Sequence, residues 1–318
     1  MKVRTGSNNQ RVTQLHKRAG ILAMVLALLP YFVLPAATAE PVPGARITGV
    51  EQVTDRWMKV SVYSPSMDKV IVNDVFRAPG SAPAPVFYLL NGIDGGLDNK
   101  GWFGLTDIPG FFGAKNVNVV SPIGGQYSYY TDWTADDPVL GRNKWQTYLT
   151  QELPPLINGE LKTNGRNAIG GLSMSGSSAL DLAIQAPGLY RGAGSYSGCP
   201  STSQGNQATQ IMLSLLPSGA NAANMWGPPG SPDWVTHDPA MNAAKLKGVA
   251  VYAAASTGAV GPVDNLPPGF PTPVGGQLVE GITLDCTRQF ADAANAAGVP
   301  ITFVVRPEGA HTWGLFDS

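Results

Sequence analysis

The sequence predicts an α/β fold with a mainly parallel central sheet flanked by helices, and three observations lead there. The short, continuously apolar run 86–90 reads as a strand buried on both faces, and 117–120 as a second buried strand. These runs alternate with helix-like runs, the pattern of strand, crossover and parallel strand. Several of them end in glycine-rich loops, and in open α/β sheets chemistry collects beyond the C-terminal ends of the strands.

The chain has 318 residues, 43% of them hydrophobic, which is enough for one large α/β domain. Charged residues make up 14%, the formal net charge is -1, and no Lys/Arg cluster follows the N-terminus, so no nucleic-acid footprint is present. The first 39 residues read as an export signal. Arg11, Lys17 and Arg18 precede the apolar run 21–34, and Ala37-Thr38-Ala39 offers a small-residue cleavage site. A retained anchor is the competing reading, but the run is short for a span and Pro30 and Pro35 interrupt and close it. The mature domain then spans 40–318. Outside the cytosol two thiols favour pairing, so Cys199 and Cys286 are expected to form a disulfide.

Residues 56–63 and 69–76 alternate apolar and polar side chains and predict opening antiparallel strands. The buried strand 86–90 leads into the loop Asn91-Gly92-Ile93-Asp94-Gly95-Gly96. Strand 117–120 precedes an aromatic loop, 122–133, whose rings either cover the sheet edge or line a substrate groove. Residues 143–161 have helical spacing, with Pro154-Pro155 expected to bend or end the helix. Strand 167–172 turns at Ser173 into helix 175–186, and strand 192–196 follows. The segment 201–247 reads as a helical insertion over the strand ends, where lids and specificity loops sit. Strand 249–254, a Gly/Pro-rich loop, helix 279–297, strand 301–305 and a last loop, 306–314, complete the chain.

The turn Gly170-Gly171-Leu172-Ser173-Met174-Ser175-Gly176 has the form of a nucleophile elbow, with Ser173 at its apex. The usual last glycine of Gly-x-Ser-x-Gly is replaced by Ser175. A serine hydroxyl needs an imidazole to take its proton and a carboxylate to hold that imidazole. His311 follows the last predicted strand and is preferred as base to His237, which lies in the insertion. Asp264, Glu280 and Asp285 all follow the strand at 249–254, and spacing slightly favours Asp264 as the acid. Serine, acid and histidine then occur in the order of the α/β-hydrolase fold. Backbone N–H groups of Met174 and Ile93 are the expected oxyanion donors.

These residues resemble the secreted mycolyltransferases of the antigen 85 complex. The resemblance rests on Tyr88-Leu89-Leu90-Asn91-Gly92, Gly124-Gly125-Gln126, Asp132-Trp133 and Lys144-Trp145-Gln146-Thr147-Tyr148-Leu149-Thr150. It extends through Gly171-Leu172-Ser173-Met174, Met225-Trp226-Gly227-Pro228, Leu278-Val279-Glu280-Gly281 and His311-Thr312-Trp313. Members of that family have an α/β-hydrolase fold, lack the last elbow glycine, and move a mycolyl chain between hydroxyl acceptors through an acyl-serine. The resemblance implies Ser173 as nucleophile, His311 as base, Glu280 as acid in preference to Asp264, and Asn91, Asp94 and Trp313 at the substrate. Where the family usually reads Leu-Leu-Asp-Gly-Leu-Arg, Asn91 and Asp94 stand at the acidic and arginine positions. The family usually adds a C-terminal helix beyond the point where this chain stops, at Ser318. The partners implied are a glycolipid or lipid ester, trehalose among the acceptors, and envelope lipids in peripheral contact, with no cofactor or metal. An esterase using the same triad and a non-catalytic carbohydrate- or matrix-binding relative are the alternatives.

Overall fold

Along Trp57–Ser64 every second residue is buried, the mark of a strand with one face on a core. This strand, β2, sits between β1 (Arg46–Gln52) and β3 (Lys69–Phe76), and all neighbours in this part of the sheet are antiparallel. The apolar run Val86–Leu90 forms β4. Two short helices follow, α1 (Trp102–Leu105) and α2 (Ile108–Phe112), and then β5 (Asn118–Pro122). The structure, a computed structural model, describes residues 42–264 and 274–318. The predicted export signal therefore lies outside the described residues.

The helical path from Trp145 to Leu161 is unbroken. It comprises α3 (Trp145–Thr147), a wide π turn (Tyr148–Glu152) and α4 (Leu153–Leu161). Pro154 and Pro155 were expected to bend or end it, and they do not end it. The π turn lies just before them, and the prolines fall in the first turn of α4.

Next come β6 (Asn167–Leu172), α5 (Met174–Gln185) and β7 (Tyr190–Tyr196). The insertion is helical, with α6 (Gln207–Leu215), α7 (Ala223–Trp226) and α8 (Pro232–Thr236). Then follow β8 (Ala250–Ser256), α9 (Val274–Ala296), β9 (Ile301–Arg306) and α10 (Trp313–Phe316). The nine strands form one sheet in the order β1-β2-β3-β5-β4-β6-β7-β8-β9. From β5 to β9 every neighbouring pair is parallel, and β3 joins β5 antiparallel. This is an α/β-hydrolase fold.

Side chains that alternate along β4 serve two cores. Tyr88 and Leu90 join the larger one, with Trp145, Tyr148, Leu180 and Phe290 from α3, the π turn, α5 and α9. Leu89 faces the smaller one, with Trp102, Ile108 and Phe112. Tyr129, Tyr130 and Trp133 of the aromatic loop lie in the larger core, so these rings cover the sheet and do not line an open groove. The loop is pinned by Ser178, whose hydroxyl donates to the Tyr129 carbonyl at 2.6 Å. Burial pushes the Tyr129 phenol up to about 12, its hydrogen bond to Ser214 pulling the other way.

Candidate active site

Three loops at the C-terminal ends of β4, β6 and β9 meet in space, because parallel register aligns those ends: Leu90 pairs with Gly171, and Leu172 with Tyr196. Ser173 leaves β6 at φ 54°, ψ -122° and enters α5 at once. This conformation is uncommon for an L residue and persists only where surrounding packing enforces it. A Cβ on Gly171 would lie 2.4 Å from the Ser175 carbonyl oxygen, and one on Gly176 would lie 2.7 Å from the Gly198 Cα. Ser175 stands where the usual motif has glycine because its hydroxyl is used: it bonds the carbonyls of Leu90 (3.1 Å) and Leu172 (3.0 Å), tying β4 to β6.

His311 Nε2 lies 2.8 Å from Ser173 Oγ, and His311 Nδ1 lies 2.6 Å from Glu280 Oε1. Glu280 is fully buried, and its other oxygen accepts from the Ser256 amide (2.9 Å) and the Ser197 hydroxyl (3.0 Å). A carboxylate so bonded is held in one orientation and stays an acceptor towards the imidazole. The helix carrying Glu280 begins at Val274, earlier than the predicted 279, so the carboxylate projects from within α9 and not from a loop after β8.

The other candidates are placed elsewhere. Asp285 is exposed and pairs with Arg288 at 3.4 Å. Asp264, the acid that spacing favoured, does not touch the imidazole; its oxygens accept from the backbone amides of Gly261 and Ala310 and from the Thr312 hydroxyl. His237 bonds Asp181 at 2.8 Å and stacks on Trp226 at 4.9 Å. Since Asp181 lies eight residues along α5 from Ser173, roughly 12 Å at 1.5 Å per residue, His237 belongs to another part of the molecule.

The backbone of Gly92 lies against the elbow, since a Cβ there would be 2.8 Å from Leu172 Cδ1 and 3.9 Å from Ser173 Cβ. The next amide, Ile93, donates to no group among the described residues. Met174 is the first residue of α5, so its amide has no acceptor within the helix.

Asn91 was expected at the substrate, and the structure corrects this. It is 2% exposed; its amide nitrogen donates to Ser121 Oγ (3.1 Å) and the Pro122 carbonyl (3.0 Å), and its oxygen accepts from the Trp102 amide (3.1 Å). With both ends of its amide engaged, Asn91 fastens β4, β5 and α1 together. Asp94 is exposed, and its carboxylate makes no hydrogen bond among the described residues. Trp313 is partly buried, edge-on to Trp102 at 5.6 Å and near Phe316 at 6.0 Å. Cys199 and Cys286 form a disulfide that joins the end of the β7 loop to α9, six residues beyond Glu280.

A cavity of about 440 Å³ opens between Phe87, Tyr196, Tyr252 and Phe112, and it is also lined by Phe316, whose ring lies edge-on to His311 at 5.4 Å. Ser197 joins it to the buried Glu280, but neither Ser173 nor His311 lines it. Burial pushes the Tyr196 phenol there up to about 12, so it stays a hydrogen-bond donor at neutral pH. Among the described residues no group of three or more His, Cys, Asp or Glu side chains is placed to hold a metal ion.

Sequence reasoning missed Ser197, Ser256 and the clamp formed by Asp264. Single serines after strands carry no motif, and a carboxylate that binds backbone amides looks in sequence like any other loop aspartate.

Residues 52–316 match the family described as "Putative esterase". Diacylglycerol acyltransferase/mycolyltransferase Ag85B of Mycobacterium leprae (strain TN) is 35% identical over 248 residues, covering 74% of this chain and 72% of that protein. Ag85A of Mycobacterium tuberculosis (strain ATCC 25618 / H37Rv) is 35% identical over 267 residues, covering 80% of this chain and 75% of that protein. Among solved structures, Mycobacterium tuberculosis MPT51 superposes with a TM-score of 0.69 at 25% identity, covering 83% of this chain and 94% of that one. An S-formylglutathione hydrolase from Agrobacterium tumefaciens shares the fold, with a TM-score of 0.60 at 15% identity over 86% of this chain and 94% of that one. On both sequence and fold, the chain belongs to the esterase family and, within it, to the Ag85 mycolyltransferases.

Proposed function

We propose that the protein is an exported serine acyltransferase that moves a long, mycolyl-type acyl chain between hydroxyl groups of envelope lipids and sugars. The observation that carries this reading is the relay from Ser173 Oγ to His311 Nε2 (2.8 Å) and from His311 Nδ1 to Glu280 Oε1 (2.6 Å), set on a strained elbow. Ser173 Oγ attacks the carbonyl carbon of the donor ester while His311 Nε2 takes its proton. Glu280 keeps the proton on Nδ1 beforehand and stabilises the imidazolium formed. The amides of Ile93 and Met174 receive the oxyanion, favoured by the N-terminus of α5. When the ester C–O bond breaks, His311 returns its proton to the leaving alkoxide. An acceptor hydroxyl then repeats the sequence in reverse against the acyl-serine, and Ser173 is restored.

The acceptor side of the site departs from the family pattern. Asn91 is fully engaged within the protein, and Asp94 presents an exposed carboxylate, unbonded among the described residues, where the family usually has an arginine. A carboxylate accepts hydrogen bonds from sugar hydroxyls and cannot donate them, so trehalose is one acceptor to be tested among several.

The experiment is product analysis with a lipid ester, with and without trehalose, alongside intact-mass measurement after exposure to a serine-directed phosphonate. Transfer to a hydroxyl acceptor and a single adduct absent from Ser173→Ala are expected. Free acid as the sole product under all acceptors would make the protein a hydrolase. No adduct on folded protein would remove both readings.

A further inference from the structure

We infer that Asp264 is a positioning residue for His311, a role that rests on the reading of His311 as the base. His311 has φ 57°, a left-handed conformation that a side chain with a Cβ adopts at a cost. The direction of its imidazole depends on that backbone angle, because Cα–Cβ is fixed by the main chain. Something must hold residues 310–312 in this shape, and one buried oxygen reaches both neighbours of His311. Asp264 Oδ1 accepts from the Ala310 amide at 2.7 Å and from the Thr312 hydroxyl at 2.8 Å. Asp264 is 4% exposed, so water competes little for either bond.

The clamp is itself anchored. Asp264 Oδ2 accepts from the Gly261 amide at 2.9 Å, and the Asp264 amide donates back to the Gly261 carbonyl at 3.1 Å. The segment before His311 is tied to the same region, with the Gly309 amide donating to the Ala259 carbonyl at 2.6 Å and the Ser256 hydroxyl donating to the Gly309 carbonyl. Ser256 also gives its amide to Glu280, so one residue at the end of β8 holds both the acid, which projects from α9, and the frame of the base. Asp264 touches neither the imidazole ring nor Ser173; it acts through the backbone on either side of His311. A carboxylate suits this place because one of its oxygens accepts two bonds while the other takes a third.

The test compares wild type with Asp264→Ala, Asp264→Asn, Thr312→Val and the double variant Asp264→Asn/Thr312→Val. Three quantities are read: kcat and KM on a short soluble ester, the thermal midpoint, and the downfield proton resonance of His311 Nδ1–H bonded to Glu280. For Asp264→Ala, kcat is expected to fall about a hundredfold with KM within about twofold of wild type, as for a misplaced catalytic group. The His311 resonance is expected to shift or broaden. Thr312→Val is expected to move both in the same direction by less, and the double variant to fall short of the product of the singles. Wild-type kcat and an unmoved resonance in Asp264→Ala, with only a lower thermal midpoint, would reduce Asp264 to a fold-holding residue and overturn the proposal. If Asp264→Ala does not fold, Asp264→Asn and Thr312→Val, which keep the side-chain volume, decide it by the same readouts. The resonance reports the His311–Glu280 geometry whether or not His311 is the base. Activity that survives Ser173→Ala would therefore defeat the proposed function separately.

Discussion

Glu280 illustrates how much a single carboxylate is asked to do. Its Oε2 must remain an acceptor because the Ser256 amide can only donate to it, which leaves Oε1 for His311. In Glu280→Gln the amide oxygen is therefore expected to stay at Ser256 and the NH2 to face Nδ1, selecting the wrong imidazole tautomer. A fall in kcat on the order of 10³ to 10⁴ is expected, with a small change in thermal midpoint, checked by turnover and by the rate of phosphonate labelling. Asn91 gives the opposite signature. Asn91→Ala would strand the Trp102 amide and weaken the junction of β4 and β5, so the expected effect is about 2 kcal/mol or more of stability with KM little changed. Denaturant unfolding and steady-state kinetics on the same preparation separate the two.

At the scale of elements, the elbow depends on contacts that helix propensity would not suggest. Within a helix alanine is ordinarily favoured over glycine by up to about 1 kcal/mol, yet in α5 a Cβ on Gly176 would press on the Gly198 backbone at 2.7 Å and Ser195 Oγ at 2.8 Å. Gly176→Ala is accordingly expected to destabilise by roughly 1 to 3 kcal/mol, seen as a lower midpoint in chemical unfolding. In β3, burial raises the Asp74 carboxyl above its ordinary value, with the Trp57 indole donating to it and pulling the other way. A carboxyl raised in the folded state contributes stability at low pH that is lost as pH rises through the folded pKa. Asp74→Asn, which keeps an acceptor for Trp57, is therefore expected to be more stable than wild type at neutral pH. That advantage should shrink below the ordinary carboxylate range, as thermal midpoints measured across pH would show.

For the whole molecule, the Cys199–Cys286 bond closes a loop with a sequence separation of 87 and joins β7's exit to α9, on which Glu280 rides. Loop-closure entropy in the unfolded chain gives such a bond a stabilisation of roughly 2 to 5 kcal/mol. Cys199→Ala/Cys286→Ala is expected to lose stability in that range under non-reducing conditions, with wild type falling to the same level once reduced. The sheet order also explains why the acid and base come from distant sequence. Parallel strands bring β6, β8 and β9 to one edge of the molecule at their C-terminal ends, so residues 173, 280 and 311 meet there.

The sequence by itself determined most strands and the longer helices in their order, the elbow at Ser173 and the histidine after the last strand, but not β1 or the short helices α1 and α2. These rest on local signals: apolar runs, a Gly-rich turn and a loop position, each legible within a few residues. It did not separate Asp264, Glu280 and Asp285 by spacing, because the choice depends on where α9 begins and which of its faces meets β8; resemblance to a family supplied Glu280, and the structure brings Glu280 to His311. Nor did it show that Asn91 is turned inward, that Tyr129, Tyr130 and Trp133 are core, or that Pro154 and Pro155 sit in a helix after a π turn. Only the tertiary structure decided those points, because the direction of a side chain and the partners of a buried polar group are set by elements that lie far apart in the chain and meet only on folding.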